Sequence, residues 1–166
     1  LPEFQKVQPA TPDSPTLTVR HLLRMSGGFP QDDPWGDRKL AETDAQLDAL
    51  VARGLTAASP TGTRWEYSNL GYALLGRIVT RVAREPYQAY ITRRILKPLG
   101  MTNTVYEWDK VPADPLALGY RWEDERWKPE PLLHDGSWGA MGGLITTLED
   151  FARYSAFHLD AWPPRE

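Results

Sequence analysis

Cysteine is absent from the 166 residues, so neither a disulfide framework nor a thiolate ligand or nucleophile is available. That absence does not separate an exported protein from a cytosolic one. Long apolar runs are missing too, and no stretch approaches the ~20 residues that a helix needs to span a bilayer. Charge of one sign is not in excess: 19 Lys and Arg against 22 Asp and Glu give a formal net charge of −3. With a pI near 5.7, the chain carries no electrostatic footprint for nucleic acid. His21, His134 and His158 lie far apart and form neither HxxxH nor HExxH, so no metal or other cofactor is expected. No internal repeat or low-complexity tract is present.

What is present is ordinary for a globular protein. With 41% hydrophobic and 25% charged residues, the chain is long enough for one domain with a real core. Residue 1 is Leu, the chain shows no charged start followed by an apolar signal core, and Leu1-Pro2-Glu3-Phe4 opens abruptly, so an internal piece of a longer protein is expected, with an engineered boundary or a processed terminus as the alternative.

The chain is organised around Pro60 to Leu75, PTGTRWEYSNLGYALL, where a turn delivers Tyr67, Ser68 and Asn69 into a helix. Pro60 and Gly62 bend the chain, after which Leu70, Leu74, Ile78 and Val82 mark one buried helical face, so the helix starts close to Asn69. Ser and Asn are favoured caps, and Tyr67 can pack its ring under the first turn, which is the plain structural reading of the cluster.

Residues 1 to 16, with Pro2, Pro9, Pro12 and Pro15, read as an extended connector. Thr18 caps a helix whose Val19, Leu22, Leu23 and Ser26 keep helical spacing and which Gly27-Gly28 ends; His21 is a structural histidine within it. A loop from Phe29 to Arg38 follows, with Trp35 as a plug or lid. Leu40, Leu47, Leu50 and Val51 mark a helix from about Lys39 to Arg53, whose Asp44 and Asp48 belong to a solvated face. After the long helix, Glu85-Pro86 interrupts, and a second helix runs from about Pro86 to Leu96. Arg77, Arg81, Arg84, Arg93 and Arg94 fall largely opposite the apolar stripe.

Leu116 to Trp122 and Arg126 to Pro131 read as a hairpin around Glu123-Asp124-Glu125. Trp122 and Trp127 pack across it, or join Trp108 as a ring-stacking surface. Gly136, Gly139, Gly142 and Gly143 allow close backbone approach, but without a GK[ST] ending they do not form a phosphate loop. Thr147-Leu148-Glu149-Asp150 has the form of a capped start for a last helix, which Trp162-Pro163-Pro164 stops.

Four blocks stand in one order: Leu17 to Gly27; Pro60, Gly62, Trp65 and Tyr67-Ser68-Asn69; Pro98-Leu99-Gly100-Met101; and Gly142-Gly143-Leu144 through Asp150-Phe151. Together they resemble the penicillin-recognising serine hydrolases, the group of class C β-lactamases, DD-peptidases and related esterases. The resemblance implies the helical region of the β-lactamase and transpeptidase-like α/β fold, mainly α with a small β-hairpin near 116–131, spanning 17–166 and largely without the family's antiparallel sheet domain. It implies that Tyr67 is the phenol that accepts the nucleophile's proton and returns it to the leaving group, and that Asn69 binds the substrate amide. An exported location is implied in the same way.

Such chemistry needs a nucleophile, a base and donors for an oxyanion. The family's SxxK is missing: none of Ser14, Ser26, Ser59, Ser68, Ser137 and Ser155 has lysine three places on. No lysine precedes Thr-Gly, and His134-Asp135-Gly136 fits HxG only literally, because it lies before Gly142-Gly143-Leu144 and the family's triplet comes after. Asp135 to Gly139 is not a nucleophile elbow, since Asp135 replaces the leading glycine. A phenol of ordinary pKa near 10 is ionised about one part in a thousand at pH 7 and becomes a useful base only beside cations. Arg64 is the one cation close to Tyr67 in sequence.

The expected function is therefore a piece of a serine hydrolase working through an acyl-enzyme on β-lactam, D-alanyl peptide or ester bonds, inactive by itself. Its partner is a small-molecule or peptide substrate, and an uncovered apolar face invites self-association. A noncatalytic tryptophan-rich binding module and a helical interaction domain are the alternative readings.

Overall fold

The computed structural model describes residues 6–32, 37–111 and 116–163. Trp35 and its expected role as a plug, along with Pro2 and Pro164, lie outside the described residues. The chain divides into two compact units, one running to Tyr90 and resuming over Asp135–Gly143, the other holding Ile91–His134 and the residues from Leu144 onward.

The first unit contains strand β1 (Val7–Gln8), helix α1 (Val19–Leu23), a 3₁₀ turn (Asp37–Lys39), α2 (Asp44–Ala52), β2 (Leu55–Thr56), α3 (Asn69–Ala83), all but the last residue of α4 (Tyr87–Ile91), and α5 (Gly139–Gly142). Within the stretch read as a connector, β1 pairs in parallel with β2, Val7 opposite Leu55 and Gln8 opposite Thr56. Thr18 caps α1 as expected, and His21 completes the box from the third helical position. The Thr18 amide donates to His21 Nδ1 at 3.2 Å, a place usually filled by Glu or Gln.

Two boundaries differ from the sequence reading. Helix α1 ends before Gly27-Gly28, because Met25 takes the left-handed conformation (φ 51°). The Ser26 amide then donates to His21 O at 2.8 Å and the Met25 amide to Leu22 O at 3.0 Å, a Schellman closure without glycine. Helix α2 starts at Asp44 and not near Lys39, because Thr43 and Gln46 form a reciprocal capping box. Gly28 is instead a turn residue at φ 82°, where a Cβ would collide with the Ser59 carbonyl. Its own carbonyl accepts the Ala58 and Ser59 amides at 2.7 and 3.2 Å.

Leu22, Phe29, Leu47, Val51, Leu55, Ala73, Leu74 and Trp138 form the core of this unit, with Leu70 and Ile78 packed at its edge. Burying side chains of this kind stabilises a fold by about 1.5–3 kcal/mol each before conformational entropy is counted. Val82, expected on the same stripe, is 72% exposed, because the end of α3 runs past the core. Arg84 closes α3 in the left-handed conformation.

Asp44 is exposed and Asp48 partly so, as expected of a solvated face, but both are also held in an ion pair that the spacing did not announce. Arg77 of α3, its side chain 11% exposed, reaches both across the α2–α3 packing. The residue spacing alone placed Arg77 opposite the apolar stripe, but its long side chain turns back along α2.

The helix expected from Pro86 to Leu96 is α-helical only over α4, and Thr92–Leu96 continues it as a π-helical turn. The Lys97 amide accordingly donates to Thr92 O at 2.9 Å, five residues back.

The second unit holds that π turn, a 3₁₀ turn (Trp108–Lys110), strands β3 (Tyr120–Glu123) and β4 (Arg126–Pro129), and helix α6 (Leu148–Asp160). The hairpin is antiparallel, with Trp122 opposite Trp127. Asp124 and Glu125 both have positive φ, 51° and 58°, the sense of turn that matches the twist of two antiparallel strands. Lys128 donates to Glu123 and Asp124 at 2.7 and 2.5 Å and so offsets the charge of those two acids. The two indoles meet edge to face at 5.3 Å, the cross-strand packing expected of them, and both stay exposed.

Thr147 caps α6 as its sequence form suggests. Asp150, however, is fully buried and serves a distant segment. It accepts the Asn103 amide at 2.7 Å and the Thr104 hydroxyl at 2.8 Å. Arg153 balances its charge at 2.5 Å.

Candidate active site

Tyr67, Ser68 and Asn69 stand at the entrance of α3, and the two possible caps are not equivalent. Ser68 is the N-cap, accepting the Gly71 amide on its hydroxyl at 3.0 Å. Asn69 is the first helical residue, so its carboxamide is not consumed by capping. The Asn69 and Leu70 amides donate to the two carboxylate oxygens of Asp32, each at 2.7 Å. The Tyr72 amide then starts the regular ladder by donating to Ser68 O at 3.4 Å. All first-turn donors of α3 are thus satisfied by protein groups.

Tyr67 is half-buried, and its ring lies 6.5 Å from that of Trp65, tilted by 53°. Trp65 is 65% exposed, while Asn69 keeps 7% of its surface. Among the described residues, neither the Tyr67 hydroxyl nor the Asn69 carboxamide has a hydrogen-bond partner. Arg64 is engaged elsewhere: its guanidinium pairs with Glu66 at 3.1 Å and is largely exposed. The other Glu66 oxygen accepts the Ser59 hydroxyl at 2.9 Å.

The other sequence candidates fall into structural roles. His134 pairs with Glu107 at 2.8 Å and lies 5.3 Å from the Trp108 ring. Trp108 therefore stacks on a histidine and not on the tryptophan pair. The Asp135 carboxylate accepts from Gln88 and sits against Gly139 and Gly143 so closely that a Cβ on either would collide with it. The glycine run thus admits a neighbouring side chain. Gly136 passes equally close to the carbonyls of Leu40 and Glu42. His158 packs edge to face on Tyr154 at 4.6 Å. Among the described residues no three His, Asp or Glu side chains are grouped to hold a metal.

A family model described as Beta-lactamase matches residues 1–163. The chain belongs to the Beta-lactamase family. Beta-lactamase-like protein 2 of Dictyostelium discoideum is 33% identical over 157 residues, covering 92% of this chain and 28% of the relative. The structure of the octameric penicillin-binding protein homologue from Pyrococcus abyssi superposes with a TM-score of 0.75 at 27% identity, over 97% of this chain and 40% of that one. A class C β-lactamase superposes at 0.67 and 25% identity, over 89% of this chain and 39% of its own. The chain therefore spans well under half the length of these relatives.

Within the Beta-lactamase family assignment, Asp32, Ser59 and Glu66 were not singled out by sequence. Ser59 and Glu66 lie in the same turn as Tyr67, and their complementary donor and acceptor chemistry seven residues apart was the available signal. Asp32 had none, because its partners are 37 and 38 residues away.

Proposed function

We propose that this chain supplies the tyrosine-asparagine side of a serine hydrolase site acting through an acyl-enzyme on a β-lactam, D-alanyl peptide or ester bond. The observation that carries the reading is the division of labour at the α3 entrance. Ser68 and Asp32 satisfy the helix amides, which leaves the phenol of Tyr67 and the carboxamide of Asn69 for a substrate. Tyr67 would take the proton from the attacking hydroxyl and return it to the leaving group, and Asn69 would hold the substrate amide.

The chain has no SxxK, and it has no Lys-Thr-Gly. The 166 residues are accordingly inactive alone: they are the helical region of the fold, and the nucleophile, its lysine and the sheet domain come from residues beyond them. Exposed apolar side chains along α6, among them Leu148 at 82%, Phe151 at 53% and Leu159 at 72%, support self-association of the isolated chain.

The test compares the isolated chain with the longer protein that carries it, on a chromogenic cephalosporin and a nitrophenyl ester. The chain gives no turnover. The longer protein turns over, and Tyr67→Phe lowers kcat by about 10²–10⁴, the usual contribution of a positioned proton carrier. Turnover by the chain alone, or wild-type kcat in Tyr67→Phe, rejects the reading.

A further inference from the structure

We infer that Asp32 is a positioning residue for the proposed site, a template contact that fixes where Tyr67 and Asn69 stand. This rests on the reading of Tyr67 and Asn69 given above. The basis is how the chain is held on both sides of the pair. Just before Tyr67, the Glu66 amide donates to Met25 O at 2.8 Å, and further back the Gly62 amide donates to Ser26 O at 2.8 Å. Just after Ser68, the Asn69 and Leu70 amides close onto Asp32. Tyr67 and Ser68 therefore form a two-residue arch between anchor points that both belong to the segment Met25–Asp32.

The two anchors differ in kind. Met25 contributes a backbone carbonyl, which substitution leaves in place. Asp32 contributes its side chain, and one carboxylate is the acceptor for two consecutive amides. Asparagine in its place has one oxygen and presents an NH₂ group to the second amide, so at least one contact becomes donor against donor. Charge-assisted bonds of this kind are about twice as strong as neutral ones. Ser68 cannot substitute for Asp32, since its hydroxyl is already committed to Gly71. Loss of the clamp leaves the first turn of α3 held by the Ser68 cap, by the Tyr72 hydroxyl on Leu23 O at 3.3 Å and by core packing of Leu70, Ala73 and Leu74. None of these fixes the Asn69 and Leu70 amides, so the phenol and carboxamide can shift. In a site of this type, a displacement near 1 Å costs on the order of a hundredfold in rate.

The experiment has two arms. In the 166-residue chain, amide hydrogen exchange by NMR compares wild type with Asp32→Asn. The Asn69 and Leu70 amides exchange at least roughly tenfold faster in the variant, as first-turn amides do once uncapped, while amides of α2 are unchanged. Unchanged exchange at Asn69 and Leu70 overturns the clamp. In the longer protein, Asp32→Asn is assayed as kcat per site titrated with a covalent acylating probe, beside Tyr67→Phe. A positioning role lowers kcat per titrated site about tenfold or more. A merely structural cap lowers Tm and the number of titratable sites while kcat per site stays at the wild-type value, which overturns the inference. A wild-type kcat in Tyr67→Phe, with faster amide exchange in Asp32→Asn, rejects the role of Tyr67 and with it the functional half of the inference, leaving the clamp itself standing.

Discussion

Arg77 grips Asp48 through two parallel hydrogen bonds, Nε to Oδ1 at 2.8 Å and Nη2 to Oδ2 at 2.5 Å. Its remaining nitrogen reaches Asp44 at 2.5 Å. Because the guanidinium is mostly buried between α2 and α3 while the carboxylates keep partial access to water, the pair lies between an exposed bridge and a buried one. Arg77→Ala is expected to destabilise the fold by about 1–2 kcal/mol. Arg77→Lys recovers less than half of that, since lysine lacks the planar fork. Urea denaturation at pH 7 measures both.

The same pair gives the stability an acid limb. Hydrogen bonding to Arg77 holds the Asp48 carboxyl below the usual carboxylate value against the opposing effect of partial burial, and Arg81 adds to the lowering. A depressed folded-state pKa stabilises fully above the unfolded value near 3.9 and is lost as pH falls through the lower folded value. The stability gap between wild type and Arg77→Ala is therefore constant from neutral pH to about pH 5 and narrows below about pH 4. A gap that widens in acid contradicts this assignment.

Gly76 and Gly142 make a paired test of packing. A Cβ at Gly76 would stand 2.7 Å from the Ala140 Cβ, whereas nothing lies within 4 Å of one at Gly142. Gly76→Ala gains up to ~1 kcal/mol of helix propensity yet meets an atom that cannot swing aside, so it is expected to destabilise by about 1–2 kcal/mol net. Gly142→Ala is expected to be neutral or slightly stabilising. Thermal unfolding of the two variants side by side decides it.

Which features the sequence disclosed follows the range of the interaction. Thr18, Ser68 and Thr147 announce helix starts because a cap acts within three residues, and Thr43 with Gln46 obeys the same grammar. The hairpin is equally local: an acidic turn between strands that place Trp122 against Trp127. The stops were less legible, since Met25 and Arg84 adopt left-handed backbone where glycine is the usual marker. Asp32 on Asn69, Arg77 on Asp48 and Asp150 on Thr104 span 29 to 46 residues. No periodicity encodes such pairs, and an acid in a loop looks solvated until its partner is placed. For the proposed site, Tyr67 and Asn69 stood out by resemblance, and Asp32, whose carboxylate accepts the Asn69 and Leu70 amides, did not.

Asp150 illustrates how much can rest on one such acid. It has no exposed surface, and its partners Asn103, Thr104 and Arg153 tie the loop after the π turn to the start of α6. Asp150→Ala leaves an amide and a hydroxyl without their acceptor and is expected to destabilise by about 3–5 kcal/mol. Asp150→Asn keeps the shape but leaves Arg153 without its counter-charge, and falls between Ala and wild type. Denaturant titration followed by tryptophan fluorescence measures both.

Arg64 provides the counter-test at the site. If its charge were the field that activates the phenol, its removal would cost as much as Tyr67→Phe. The structure pairs it with Glu66, and Glu66 is held in turn by the Ser59 hydroxyl, so the charge of Arg64 is already offset by its neighbour. The guanidinium is also more than half exposed, where such bridges contribute about 0–1 kcal/mol. Arg64→Gln is therefore expected to change stability by less than ~0.5 kcal/mol and kcat of the longer protein by less than about threefold, or ~0.7 kcal/mol of barrier. Glu66→Gln, which releases Arg64 and weakens the acceptor for Ser59, is expected to have the larger effect on both. A loss in Arg64→Gln that matches Tyr67→Phe would place the activating charge within this chain and make the cation from outside it unnecessary.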